Sequence, residues 1–170
     1  MKICPECKDV IMYCKCWEDY MKKENNKPKV ISLFSGAGGM DLGFINAGYN
    51  IAWANDFEPD SVDTYKKNID NNIILGDITK IKNSDIPKYA DVVIGGFPCQ
   101  GFSIANPNRK EVGMKDERNF LYKEMLRIIK YVKPKFFVAE NVKGILNIQK
   151  GRIIPLIIND FKKLGYKVDY

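Results

Sequence analysis

The sequence predicts an α/β protein built on a doubly wound, mostly parallel β-sheet. Short apolar runs alternate with amphipathic stretches along residues 28–170, and the apolar runs lack the alternation of a half-exposed strand. Strands that are apolar on both faces are typical of a parallel sheet covered by helices on both sides. A chain of 170 residues is long enough to bury one such core.

The apolar runs predict five strands, at residues 30–34, 51–54, 73–75, 91–94 and 136–139. The stretches between them predict helices that end near residue 47 and span about 60–69, 120–132 and 153–164. Pro59 and Pro155 fall in first helical turns, where proline is tolerated. In such a fold, ligands bind outside the carboxyl ends of the strands.

Residues 1–27 are predicted to be a separate cysteine-rich, zinc-binding segment and linker, ahead of the main domain at 28–170. The segment holds four cysteines within thirteen residues: Cys4, Cys7, Cys14 and Cys16. It is too short to fold by hydrophobic burial, and a tetrahedral zinc site would supply the missing stability. The gap between the two pairs is shorter than usual, so unliganded reduced thiols are the alternative.

The overall composition favours a cytoplasmic protein. No apolar run approaches the roughly 20 residues of a membrane span, so no membrane partner is expected, and the N-terminus lacks the apolar core of a signal peptide. Cysteines stay reduced in that compartment, which favours metal binding or catalysis over disulfides. From Leu121 onward, eleven Lys and Arg face four Asp and Glu, a net charge of +7. This bias fits a polyanionic partner, and equally a solvated lysine-rich surface.

Chemically distinctive residues follow all five predicted strands. They are, in chain order, the glycines between Gly36 and Gly39, then Asp56, Asp77, Cys99 and Glu140. The carboxyl ends of parallel strands meet at one edge of the sheet, so these residues are expected to lie together. The sequence therefore predicts an active site at this edge.

The glycine-rich turn after the first strand predicts a ligand close to the backbone. Gly36, Gly38 and Gly39 leave room for it, and the helix that follows offers free N–H groups. The dinucleotide pattern would need a glycine where Asp41 stands, and a charge there would disfavour a pyrophosphate. A cationic or zwitterionic nucleoside fits better. The alternative is a glycine turn with no ligand.

The next two strand ends predict a nucleoside pocket. Asp56 lies twenty residues after Gly36, where an acid typically takes ribose hydroxyls, and Phe57 beside it could stack on an adenine. Asp77 could accept a hydrogen bond from an exocyclic amine. Each acid taken alone is weak evidence, because Asp is common at turns and helix caps.

Cys99 and Glu140 are the candidate catalytic pair. Pro98 fixes the backbone before the thiol, and Gly101 lets the chain turn behind it. The sequence contains no histidine, which excludes a Cys–His nucleophile, so the thiol needs backbone donors, cations or the substrate for activation. Glu140 suits proton donation. The alternatives are a small buried cysteine and a capping glutamate.

Together these residues resemble the C5-cytosine-specific DNA methyltransferase family. Six blocks match in family order: Leu33–Phe44, Asn55–Glu58, Gly76–Ile78, Gly96–Ser103, Asp116–Tyr122 and Glu140–Val142. The resemblance covers residues 30–170, and the Pro-Cys-Gln and Glu-Asn-Val motifs are its most diagnostic parts. It implies the Rossmann-like fold of methyltransferases that depend on S-adenosylmethionine.

By this resemblance, S-adenosylmethionine is the cofactor. Phe34 and Phe57 would pack around the adenine, Asp56 would hold the ribose, and Asp77 would hold the adenine amine. Gly36, Gly38 and Gly39 would line the methionine part, and Leu121 would cover the adenosine. Ile78 and Pro98 complete the implied cofactor site.

The resemblance also implies the chemistry. Cys99 would add to C6 of a cytosine flipped out of double-stranded DNA, while Glu140 bonds N3. C5 then takes the methyl group, and loss of its proton releases the thiol. Residues 102–118, with Arg109, Lys110 and Lys115, would be a mobile loop that closes over the DNA.

The family continues with further strands, an arginine-bearing motif and a target-recognition domain, so this chain corresponds to the N-terminal catalytic half, truncated before the last strands. The strand at 136–139 would then be a sheet edge, which predicts either a complementing C-terminal polypeptide that carries the rest or a fragment that is inactive alone. Two other functions stay open. One is an RNA (tRNA) cytosine-5 methyltransferase, and the other is a non-catalytic subunit that binds S-adenosylmethionine.

Overall fold

The protein is seen in a computed structural model that describes residues 27–98 and 121–170. Its centre is a five-stranded sheet in the order β3-β2-β1-β4-β5. The strands are β1 Lys29–Leu33, β2 Asn50–Asp56, β3 Ile73–Leu75, β4 Val92–Gly95 and β5 Phe136–Ala139. All four pairings are parallel. The predicted α/β fold class and its parallel sheet are confirmed.

The helices of the described residues are α1 Gly39–Asn46, α2 Pro59–Asn68, α3 Leu121–Val132 and α4 Ile153–Lys163. α1 ends within a residue of the predicted end, and the other three lie within about two residues of their predicted spans, because apolar spacing marks the faces that α2, α3 and α4 bury. Two 3-10 segments, Asn83–Asp85 and Lys143–Gly151, were not expected. Asn83–Asp85 is a single turn of three residues, and Lys143–Gly151 buries only Ile145 and Ile148, a spacing of three that is too brief to predict a helix.

Two cores lie on opposite faces of the sheet. Successive side chains of a strand point to opposite faces, so Val30 enters one core and Ile31 the other. The first core joins β1, β2 and β4 to α1 and α2. The second joins the sheet to α3 and α4. The near-continuous apolar strands of the sequence are explained by this burial on both sides.

The connection from β3 to β4 contains no α-helix. Residues 76–91 instead turn twice and include the single-turn 3-10 segment. Ile78, Ile86 and Ala90 anchor this connection by packing into the second core, beside α3. The turn that carries Asp77 is therefore held by α3 across the fold and not by a helix of its own.

Within the described residues, β5 pairs only with β4 and forms an edge of the sheet. Phe136 is 42% exposed and Val138 is 38% exposed, although both have the sequence character of an interior strand. A groove of about 700 Å³ runs beside β5 and is lined by apolar side chains, among them Ile154, Ile157 and Tyr166. No helix in the described part of the chain is long and apolar enough to cross a membrane.

Candidate active site

The carboxyl ends of the strands are joined by backbone hydrogen bonds. The Ser35 N–H donates to the Asn55 carbonyl at 3.0 Å, the Gly76 N–H to the Asp56 carbonyl at 2.9 Å, and the Glu140 N–H to the Gly95 carbonyl at 2.9 Å. The loops after β1, β2 and β3 are thus held next to one another. The loop after β5 is held against the end of β4.

The glycine-rich turn has an unusual backbone that opens space on one side. Phe34 has φ 53°, a left-handed conformation that is uncommon for a bulky residue, and Gly36 has φ 54°. A Cβ added at Gly36 or Gly39 would meet no atom within 4 Å. Gly38 differs: with φ 90°, an added Cβ would overlap Ile69 and lie 2.8 Å from Tyr65 Cδ2. Gly36 and Gly39 therefore leave room for a ligand, whereas Gly38 allows α1 to approach α2.

Asp41 does not face the ligand, and here the sequence interpretation was wrong. Its side chain is fully buried beneath the glycine-rich turn. Asp41 Oδ1 accepts a hydrogen bond from the Ser32 hydroxyl at 2.7 Å, and Oδ2 accepts one from the Tyr65 hydroxyl at 2.7 Å. Burial raises the pKa of Asp41, and these two bonds oppose that rise. Its role is to join β1, α1 and α2.

Asp56 orders the backbone between the first two strand ends. Its Oδ2 accepts a hydrogen bond from the Gly36 N–H at 2.7 Å, and its Oδ1 accepts one from the Glu58 N–H at 2.9 Å. A carboxylate oxygen has two acceptor positions, so each oxygen keeps one for a ligand hydroxyl. Phe57 beside it is 67% exposed, so its ring offers a free apolar face.

Asp77 is held as an ionised hydrogen-bond acceptor. Its Oδ1 accepts from the Thr79 N–H at 3.0 Å and from the Thr79 hydroxyl at 2.7 Å. These bonds lower the pKa of Asp77 below its ordinary value. Oδ2 lies 3.6 Å from the Lys80 ammonium and keeps an acceptor position for an amine. The neighbouring Ile78 is buried in the second core.

Glu140 and Asn141 reach across to the segment that leads to Cys99. A Cβ added at Gly96 would lie 3.0 Å from Glu140 Oε2, so the exposed carboxyl group sits directly beside that glycine. The Asn141 side-chain amide donates to the Phe97 carbonyl at 2.7 Å. The loop after β5 thereby fixes the chain just before Pro98, which is half-buried.

Several predicted site residues lie outside the described residues. They are Cys99, Arg109, Lys110, Lys115 and the four N-terminal cysteines Cys4, Cys7, Cys14 and Cys16. Leu121 is described: it is the first residue of α3 and packs against the second core. In residues 27–98 and 121–170, no group of three or more His, Cys, Asp or Glu side chains is placed to hold a metal ion.

Sequence reasoning missed two asparagines that organise the site. The buried Asn55 amide donates to the carbonyls of Ile74, at 3.0 Å, and Gly76, at 2.8 Å, and so ties β2 to the turn after β3. Asn141 was part of a recognised motif but received no role. A polar residue at the end of an apolar strand was the available signal for both, since buried amides need partners.

This site lies at the carboxyl edge of a parallel sheet flanked by helices, the arrangement of an α/β protein that binds a nucleoside-like ligand. The family model for C-5 cytosine-specific DNA methylases matches residues 28–170. The chain belongs to this family, and the family resemblance noted in the sequence is confirmed.

Individual relatives agree. The chain is 48% identical over 150 residues to the Type II methyltransferase M.NgoFVII of Neisseria gonorrhoeae. This match covers 87% of this chain and 39% of that protein. It is 45% identical over 140 residues to the Type II methyltransferase M.AquIA of Picosynechococcus, and this match covers 78% of this chain and 55% of that protein. A solved structure described as a prophage-encoded DNA modification methyltransferase of E. coli superposes with a TM-score of 0.63 at 31% identity, covering 81% of this chain and 38% of that one. The chain spans about two fifths to just over half of these proteins.

Proposed function

We propose that this chain supplies the cofactor-binding and catalytic half of a DNA (cytosine-5)-methyltransferase that uses S-adenosylmethionine and acts in the cytoplasm. The observation that carries this proposal is the carboxyl edge of the sheet. There, an open glycine-rich turn, an exposed aromatic ring and an ionised acceptor stand on neighbouring strand ends. The Type II names of the relatives support a role in restriction–modification.

The described residues fit S-adenosylmethionine. The exposed face of Phe57 suits stacking on adenine. Asp56 retains acceptor positions for ribose hydroxyls, and Asp77 Oδ2, which lies 3.6 Å from the Lys80 ammonium, keeps an acceptor position for an exocyclic amine. Space beside Gly36 and Gly39 suits the methionine portion. The proposed site is completed by Phe34, Gly38, Ile78, Pro98 and Leu121. When bound, this cofactor supplies a methyl group made electrophilic by its sulfonium.

The chain's own residues would prepare the cytosine. The Cys99 thiolate forms a C–S bond at C6, and Glu140 donates a hydrogen bond or proton at N3, so that negative charge does not accumulate on the ring. C5 becomes nucleophilic enough to accept a methyl group. Water then takes the proton from C5, the C5–H electron pair re-forms the C5=C6 double bond, and the C6–S bond breaks to release the thiolate. The contact between Gly96 and Glu140 supports this pairing. It places the carboxyl group beside Gly96, which is three residues before Cys99 in the chain.

Labelled methyl transfer from S-adenosylmethionine tests the proposal, with duplex DNA and tRNA as parallel substrates. The full chain is assayed alone and with the polypeptide encoded directly downstream. We expect methylated DNA in the second case. Cys99→Ser should abolish transfer, and Glu140→Gln should lower it by about 10²-fold or more. Asp63→Asn, an exposed acid on α2, is the control and should change nothing.

Each result of this assay has a distinct meaning. Methylated tRNA without methylated DNA would identify the RNA enzyme instead. Binding of S-adenosylmethionine without transfer to either substrate would identify a non-catalytic subunit. A duplex with 5-fluorocytosine has no C5 proton to lose, so it should stay covalently linked to Cys99. Absence of that link in an active preparation would contradict the proposed nucleophile.

We also propose that a polypeptide carrying a target-recognition domain completes the sheet beside β5. The exposed Phe136 and Val138 and the adjoining apolar groove support it, because an open apolar strand edge favours pairing with another strand. The share of each relative's length that the chain spans supports it too. Double-stranded DNA would be bound jointly by both parts.

Zinc binding by Cys4, Cys7, Cys14 and Cys16 stays a proposal about residues outside the described part. Four thiolates are the donor set that zinc prefers, and the four cysteines fall within thirteen residues of the sequence. Metal analysis of the purified chain should give about one zinc per molecule. Replacing Cys7 by Ser should remove it, whereas Cys99→Ser should not. A content well below one in the unmodified chain would dispose of the site.

A further inference from the structure

Arg127 connects helix α3 to the turn that carries Asp77. Its guanidinium makes three contacts. Nε donates to Glu124 Oε2 at 2.7 Å on the same helix, Nη1 donates to Asn83 Oδ1, and Nη2 donates to the Ile78 carbonyl at 3.1 Å. The ion pair with Glu124 is largely buried, with side chains 29% and 22% exposed. The three contacts point in different directions and fix the plane of the guanidinium.

The β3–β4 connection needs such a contact. It has no α-helix to satisfy its backbone, and an unpaired buried carbonyl is costly. The Ile78 carbonyl accepts a bond of 3.3 Å from the Ile81 N–H within the turn and a second, shorter one of 3.1 Å from Arg127. The hydrogen bond from Arg127 to the Asn83 side chain also holds the 3-10 segment that follows the turn. Arg127 thus holds the backbone of the turn at the residue directly after Asp77.

We propose that Arg127 is a positioning residue for adenine recognition, which it sets by fixing the Asp77–Ile78 turn against α3. This inference rests on the proposed function, since it assumes that Asp77 receives the adenine amine. α3 begins at Leu121, the residue expected to cover the adenosine. The same helix would therefore carry both Leu121 over the adenosine and Arg127 against the turn of Asp77.

Holding the turn requires an arginine at position 127 and not just a positive charge. A guanidinium is a planar fork that donates along several fixed directions, whereas a lysine ammonium on the same helix would reach one of these acceptors at a time. Arg127→Lys should therefore give an intermediate result, and Arg127→Met, which keeps the apolar stem without donors, a full loss. Lys130→Met removes an exposed cation one turn further along α3 and is the matched control.

Amide hydrogen exchange of the full chain without ligand tests the positioning directly. The Lys80 and Ile81 N–H groups close the turn onto the carbonyls of Asp77 and Ile78. In Arg127→Met we expect these two amides to exchange about tenfold faster, with β1 unchanged. Equal protection of the turn in wild type and Arg127→Met would overturn the inference. A uniform loss of protection that includes β1 would also overturn it, because it would show a general role in stability.

Ligand selectivity is the second readout. Binding of S-adenosylhomocysteine is compared with that of its inosine analogue, in which a carbonyl replaces the exocyclic amine. Wild type and Lys130→Met should prefer the adenosine compound, and Arg127→Met should lose about tenfold in its affinity and most of the preference. An unchanged preference in Arg127→Met would overturn the inference. If wild type bound neither compound, the proposed function would fail, and the exchange measurement would still decide whether Arg127 positions the turn.

Discussion

Gly38, just before α1, and Gly43, within it, differ in whether the structure has room for a Cβ. Gly38 has φ 90° and no space for a Cβ, since Ile69 and Tyr65 fill the position. Gly43 lies inside α1, is exposed, and a Cβ there would meet nothing within 4 Å. The sequence marked Gly38 as lining a ligand. The structure adds that it must also be a glycine for the two helices to pack.

Gly38→Ala should therefore lower the free energy of unfolding by about 2–4 kcal/mol, from backbone strain together with overpacking. Gly43→Ala should raise it by up to about 1 kcal/mol, because alanine favours a helix interior. Urea unfolding of both variants measures the difference. Equal effects of the two substitutions would contradict the packing role of Gly38.

The orientation of the Asp41 side chain was predicted wrongly from the sequence. An aspartate at position 41 was interpreted as a charge facing the ligand, because sequence position alone does not show which way a side chain in the first turn of a helix points. The carboxyl group turns inward, towards Ser32 and Tyr65, from β1 and α2. No local pattern predicts that arrangement, since it depends on how two helices pack on one strand.

The three-residue network of Ser32, Asp41 and Tyr65 acts at the scale of elements. It joins one strand to two helices through a carboxyl group with no access to water. An ionised carboxylate is stable there only while both hydroxyls donate to it. The network therefore makes the packing of α1 and α2 depend on pH.

Tyr65→Phe should lower the free energy of unfolding by about 1–3 kcal/mol at neutral pH, since one oxygen of a buried carboxylate loses its donor. Burial already raises the pKa of Asp41, and loss of this bond raises it further. The folded variant then takes up a proton at higher pH than wild type. It regains stability as pH falls through that pKa, so the deficit should shrink with acid.

Urea unfolding between about pH 8 and about pH 4 measures this trend. Tyr49→Phe is the matched control, because Tyr49 is half-buried and meets Phe44 edge-on at 5.1 Å between ring centroids. It should show no comparable pH dependence. A deficit of Tyr65→Phe that stayed constant with pH would show that Asp41 is not ionised in the folded protein.

The elements themselves were predictable, and the contacts between distant ones were not. Apolar runs mark every strand of the sheet, and the glycine, acid and motif residues mark its carboxyl edge. No sequence pattern predicted the contacts of Arg127. Its acceptors at Ile78 and Asn83 lie more than forty positions away in the chain. A surface arginine on an amphipathic helix looks the same in sequence whether or not it has them.

For the whole molecule, the sheet has an apolar edge at β5 in the described residues. The sequence anticipated this edge because the strand is apolar and no later strand is predicted. Side chains on both faces of β5 are involved: Phe137 stacks on Phe161 at 4.5 Å between ring centroids, while Phe136 and Val138 remain exposed on the other face.

Val138→Lys should reduce self-association of the isolated chain, because a charge on an edge strand opposes pairing with another strand. Leu156→Lys is the control: Leu156 is equally apolar and 50% exposed, but lies on α4. Light scattering over a range of concentrations compares the two with wild type. If both variants reduced association equally, general surface hydrophobicity would be the cause and the strand edge would not.

The two cores also differ in how much of the chain each one needs. Every buried residue of the first core lies between Val30 and Ile94, whereas the second needs α3 and α4 from beyond residue 120. During synthesis from the N-terminus, the first core can close as soon as β4 has left the ribosome. The hydrogen bond from the Gly36 N–H to Asp56 would then form early, and α3, which anchors the Asp77 turn, would be added later.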